Sequence, residues 1–203
     1  WVDKLKNKLL KVPYVHAIFT LPHQLNGLAP CNQPVMYAMI MKATWMTVKE
    51  VMKMIDTTPG MTMVLHTFGS DMKYHIHTHS LVTFGGLDKA GNWVYPKDKY
   101  VIAKYRKICS TYKRIFLELL ESSFANNEIT YHEDYATLSK EVTKLRWVVH
   151  TTYPTMNTEL IENYLARYVN RVAISNNRLN YLKENEEVAI TYNDYKKQEA
   201  GKP

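Results

Sequence analysis

Only two cysteines, Cys31 and Cys109, occur in 203 residues, too few and too far apart for a disulfide framework. They form no Cys-x-x-Cys pair, so cysteine cannot build a zinc knuckle here. With so few thiols beside ten methionines, the composition fits a reducing cytoplasm. No apolar run reaches the roughly 20 residues a membrane helix needs, and no signal-peptide pattern opens the chain, so no membrane anchor is expected. Acidic residues are also short: 19 Asp and Glu face 26 Lys and Arg, giving a net charge of +7. That balance points to an acidic partner, nucleic acid first. There is no internal repeat, low-complexity tract or second domain. At this length about 70% of the unfolded surface can be buried around one core.

Histidine, by contrast, is concentrated. Tyr74-His75-Ile76-His77-Thr78-His79-Ser80 sets three histidines on alternate positions. A strand alternates its side chains between two faces, so all three share one face at intervals of about 6.5–7 Å. Imidazole is the commonest metal-ligating side chain. Two imidazoles one residue apart can hold one divalent ion if a third polar group closes on it. His75 comes first for that role, then His66 on the preceding strand, with Asp71 in the connection also open. The alternative is a histidine-rich edge strand without a ligand.

The chain around this strand reads as alternating elements. Residues 1–11 suggest a short basic helix. Pro13 to Leu21 reads as a strand with Tyr14, His16, Ile18 and Thr20 on one face, His16 being taken as a sheet histidine. Helical spacing of apolar residues runs from Pro34 to Ile55, with Pro34 suited to the first turn. Met61–Gly69 and the histidine strand, running on to Phe84, are expected to pair as an antiparallel hairpin. Trp93-Val94-Tyr95 makes another short strand. Lys97 to Ser123 is a basic amphipathic helix with Cys109 on its apolar side. Its Lys99, Lys104, Arg106, Lys107, Lys113 and Arg114 either line a phosphate path or form a solvated face. Tyr135–Lys144 suggests a helix, and Trp147–Tyr153 a strand. Asn157 to Arg171 is a further helix, and residues 172–175, 178–182 and 188–192 read as terminal strands. The tail from Lys196 is polar and expected to fray.

The helix from Asn157 places Tyr164 and Tyr168 one turn apart, so both hydroxyls can face one place. A phenol with an ordinary pKa near 10 is a poor nucleophile at neutral pH. It can attack a phosphodiester where a cation stabilises the developing negative charge. The product is a covalent phosphotyrosine and a free 3′-hydroxyl, and the bond energy is kept for rejoining.

His77-Thr78-His79 followed by Tyr164-x-x-x-Tyr168 resembles the two-tyrosine HUH endonucleases, and more closely the rolling-circle insertion-sequence transposases related to ISCR elements and, more distantly, Helitrons. The matching blocks are Pro13–His23, Leu65–Gly69, His75–His79 and Tyr164–Asn176, in the family's order. The resemblance implies an α+β fold of the HUH nuclease, Rep-like type: a central antiparallel sheet carrying the His-x-His motif and flanked by helices. It implies a single catalytic nuclease domain over residues 1–203, with His77 and His79 as metal ligands beside His75 or His66. Tyr164 and Tyr168 would be nucleophiles, the cofactor one Mg2+ or Mn2+ ion, and the partner single-stranded DNA at transposon ends and target in the bacterial cytoplasm. Arg171 and Arg178, with Arg167 between the tyrosines, are candidate contacts to the DNA backbone. A plasmid replication initiator, a relaxase or a non-catalytic DNA-binding module would carry some of the same residues. Two departures stand out. The middle of His-x-His, usually bulky and apolar, is Thr78. The family's cysteine-rich zinc module has no counterpart, and the chain is read as a piece of a longer protein.

Overall fold

The computed structural model describes residues 9–69, 72–97, 105–157, 178–183 and 186–191. The sheet at its centre has four strands in the order β2-β3-β1-β6: β1 (Tyr14–Thr20), β2 (Met61–Phe68), β3 (Tyr74–Thr83) and β6 (Val149–Thr151). Each neighbouring pair is antiparallel. Two separate hairpins join β4 (Gly86–Leu87) to β5 (Trp93–Val94), and β7 (Leu179–Leu182) to β8 (Glu187–Ile190). Among the described residues the α-helices are α1 (Gln33–Met52), α2 (Tyr105–Ala125) and α3 (Tyr135–Lys144). The fold is α+β, as expected.

Alternation along β3 divides the sheet into two unlike faces. Ile76, Thr78, Ser80 and Val82 point to one side and are completely buried. Across β1 the same side carries Val15, Ala17 and Phe19, which pair with Val82, Ser80 and Thr78. Met36, Ile40, Ala43 and Val48 of α1, and Ile108, Tyr112, Ile115 and Phe116 of α2, join this face in one core. Burying side chains of this kind contributes about 1.5–3 kcal/mol each. Cys109 is buried in it as a small apolar residue.

Thr78 turns out to be a fitted departure. It is fully buried, and its hydroxyl meets that of Thr44 on α1 at 3.1 Å. A buried hydroxyl is tolerated when it is hydrogen-bonded, and here each threonine supplies the other's partner.

Local chemistry sets the element ends. Pro34 occupies the first turn of α1, where its missing N–H costs nothing. The helix tightens into a 3-10 turn over Lys53–Ile55 and stops at Asp56, whose φ is 51°. Asn32, just before α1, donates to the carbonyls of Leu28 and Thr130 and accepts from the Thr130 N–H, tying two segments 98 residues apart. Asp134 caps α3 by accepting from the N–H groups of Ala136 and Thr137. The Gly85-Gly86 pair turns the chain after β3: a Cβ on Gly86 would stand 2.4 Å from the Thr58 carbonyl oxygen.

The strand expected over Trp147–Tyr153 is shorter, Val149–Thr151. Trp147 is drawn into the core, where its indole N–H donates to the Val142 carbonyl and its ring packs against Tyr112 and Phe116. Of the basic residues on α2, Lys113 donates to the carbonyls of Thr143 and Leu145 at the end of α3, and Arg114 pairs with Glu118 and Glu50. Both cations thus have partners within the fold. The leader helix, the tyrosine helix, the strand over 172–175 and the tail lie outside the described residues.

Candidate metal centre

The opposite face of the sheet collects imidazoles. The antiparallel register sets His66 of β2 opposite His77 of β3, and Ile18 of β1 opposite both His79 of β3 and His150 of β6. Alternation then puts His16, two residues before Ile18, on this side too. All four strands therefore contribute histidine to one face.

Three of these rings converge. His66, His77 and His79 are all buried, and one nitrogen from each lies within 4.8 Å of the others. The ring centroids are 5.4 Å apart for His66 and His77, 4.8 Å for His66 and His79, and 4.9 Å for His77 and His79. The preferred third partner, His75, is not one of the group. Its ring centroid lies 5.0 Å from that of His77, one step further along the strand, whereas strand pairing delivers His66 directly opposite. Asp71, Tyr164, Tyr168, Arg167 and Arg171 lie outside the described residues. Arg178 is described: its Nε–H donates to the Thr191 carbonyl across the open end of the β7–β8 hairpin.

Hydrogen bonds orient two of the rings. The Nδ1 of His77 lies 2.9 Å from the carbonyl oxygen of His75. A carbonyl only accepts, so Nδ1 carries a proton, and Nε2 is the nitrogen left to face an ion. His79 Nδ1 lies 3.2 Å from Nε2 of His16, and the two rings stack at 24°. Burial first, and the charge of His150 second, bring the pKa of His16 down to about 4, so this ring is neutral at neutral pH. His66 stacks on Phe68 with an interplanar angle of 8°, and the pairing register shifts between these two residues. Such bulges bend a strand and re-aim its side chains beside functional sites.

The donor set fits a divalent transition ion. Metal-bound histidines usually offer one nitrogen to the ion and the other N–H to a carbonyl or similar acceptor. His77 already has that arrangement. Three imidazoles without a carboxylate suit a transition ion better than Mg2+, which prefers oxygen ligands. The cavity of about 630 Å³ lined by Trp45, Lys49, Lys53, Thr57, Leu87 and Ile115 contains none of these histidines.

Sequence reasoning left His16 as a sheet histidine and did not mark Phe68 or His150. Phe68 follows His66 by two residues on one strand, within reach of alternation; for His16 and His150 parity was legible, but the pairing register of their strands was not.

Comparison with known proteins gives a consistent family. Residues 60–202 match the family model Y2_Tnp, described as "Putative transposase". The chain is 30% identical, over 97% of its length, to "Putative transposase y4qJ" of Sinorhizobium fredii (strain NBRC 101917 / NGR234), covering 52% of that protein. It is 27% identical, over 98% of its length, to "Transposase for insertion sequence element IS801" of Pseudomonas savastanoi pv. phaseolicola, covering 49%. The chain thus spans about half the length of these relatives. Among solved structures, the conjugative relaxase TrwC complexed with a 27-mer DNA comprising the recognition hairpin and the cleavage site aligns with a TM-score of 0.42 and 12% identity, over 91% of this chain and 70% of that one.

Proposed function

The chain belongs to the Y2_Tnp family of transposases, and from that premise we propose that it nicks and joins single-stranded DNA during rolling-circle transposition, through a covalent 5′-phosphotyrosine. The observation that carries the proposal is the buried triad His66, His77 and His79, with donor nitrogens within 4.8 Å of one another. In this reading the three imidazoles hold one divalent cation, Mn2+ or Mg2+, and residues 1–203 act as a single catalytic nuclease domain. The bound cation supplies charge stabilisation at the phosphate oxygens.

The protein's own residues do the rest. The phenolic oxygen of Tyr164 or Tyr168 attacks the scissile phosphorus and gives up its proton to the surroundings. The bond from phosphorus to the 3′-oxygen breaks, and that oxygen leaves as a protonated 3′-hydroxyl. The 5′-phosphate stays on the tyrosine as an ester. A 3′-hydroxyl from another strand end reverses the exchange, forming the new phosphodiester and restoring the phenol. Their spacing of four residues would let the two tyrosines carry two such exchanges without release of the DNA. Arg171 and Arg178 are assigned to phosphate oxygens of the substrate, with Arg167 beside them in sequence. The DNA substrate places this work in the bacterial cytoplasm.

Incubation with a labelled single-stranded oligonucleotide from the element's end and Mn2+ should give a protein–DNA adduct on a denaturing gel. The adduct should vanish with chelator, with Tyr164→Phe/Tyr168→Phe, and with His77→Ala/His79→Ala. Binding of the oligonucleotide with no adduct under either Mn2+ or Mg2+ would overturn the enzymatic reading in favour of a DNA-binding module.

A further inference from the structure

We propose that His16 is a positioning residue for the metal centre: it accepts a hydrogen bond from His79 and thereby fixes which nitrogen His79 presents to the ion. The inference rests on the triad holding a divalent cation. It concerns a residue that belongs to a different strand and is not one of the three donors.

The geometry is specific. Nε2 of His16 and Nδ1 of His79 are 3.2 Å apart. One of two neutral imidazole nitrogens in contact must donate and the other accept. If His79 gives Nε2 to the ion, its proton resides on Nδ1, so His16 Nε2 is the acceptor and His16 carries its own proton on Nδ1. The other assignment would place the His79 proton on Nε2 and close that nitrogen to an ion.

His16 is also held in place to perform this role. Its N–H donates to the Thr152 hydroxyl at 3.1 Å, and its carbonyl accepts from the Thr152 N–H at 2.9 Å. Pairing with Leu81 on β3 fixes the other side of the same residue. The near-parallel stacking of the two rings, 24° between planes, further limits rotation of His79. His77 receives the equivalent service from the His75 carbonyl at 2.9 Å. Two of the three donors thus have their second nitrogen engaged by groups on different strands. Outer partners of this kind orient a ligand and raise its basicity.

The test is Mn2+ affinity by calorimetry on the 203-residue protein, with circular dichroism to confirm folding. His16→Ala should weaken binding by about 10–100-fold. His16→Gln, which keeps a neutral acceptor near the position of Nε2, should recover most of the loss. His16→Phe, which keeps a flat ring without an acceptor, should remain as weak as His16→Ala. Nitrogen-15 NMR of the imidazoles should show His79 protonated on Nδ1 in the wild type. Wild-type affinity in His16→Ala, full recovery by Phe but not Gln, or His79 protonated on Nε2 would each overturn the inference while leaving the triad intact. Failure of the wild-type protein to bind Mn2+ would overturn the metal reading, and this inference with it.

Discussion

Thr78 sits between two of the clustered histidines and points the other way, into the core. Its hydroxyl meets that of Thr44 at 3.1 Å, and both residues are fully buried. Removing one hydroxyl strands the other, at a cost of about 1–3 kcal/mol. Thr44→Val should therefore lower stability in urea by that amount. Thr44→Val combined with Thr78→Val should recover most of it, because no buried hydroxyl is then left unpaired. The opposite case is Tyr112. It is completely buried, and its hydroxyl has no hydrogen-bond partner among the described residues. Burial pushes its pKa well above the ordinary value, so the phenol stays neutral and is not a nucleophile. Tyr112→Phe should keep the ring packing with Phe19, Phe116 and Trp147 and raise stability by about 1 kcal/mol, measurable as a higher thermal midpoint.

At the scale of the element, the histidine strand and the short helix α3 show how much a local pattern fixes. Alternation along β3 separates the histidine side chains from the core side chains without reference to anything else. The boundaries of α3, Tyr135–Lys144, follow from the Asp134 cap and the apolar spacing of Leu138 and Val142. The Asp134 carboxyl is held below its ordinary 3.8, by the Thr137 hydroxyl first and the Ala136 N–H next. A carboxylate with a lower pKa folded than unfolded stabilises the fold above the unfolded value, and its contribution is lost as pH falls through the depressed value. Asp134→Ala should thus lower the thermal midpoint at pH 7, with the difference from wild type shrinking below pH 4. Asp134→Ser, which still caps, should recover much of the midpoint at pH 7. The β6 strand marks where local reading fails. Trp147 has the composition of a strand residue, but the core formed by Tyr112 and Phe116 claims its ring, and pairing starts only at Val149.

At the scale of the molecule, the net charge of +7 should make affinity for single-stranded DNA fall linearly with the logarithm of salt concentration. Each phosphate contact removed should flatten that slope by about 0.7. Arg171→Ala and Arg178→Ala test the two assigned contacts; an unchanged slope would return that arginine to a purely structural place, which for Arg178 is the bond to Thr191. Lys113 and Arg114 show the need for such a test, since both looked equally suitable and both are occupied by carbonyl or carboxylate partners within the fold. The sequence alone determined the α+β class, the hairpin of β2 and β3, the shared face of His75, His77 and His79, and the resemblance to two-tyrosine transposases. Those follow from residue periodicity and from motif order, both of which are written along one dimension. Only the tertiary structure decided that His66 rather than His75 closes the triad, and that His16 reaches His79. Both outcomes depend on strand order and register, and these are set by how the core face packs under α1 and α2, far in sequence from the histidines themselves.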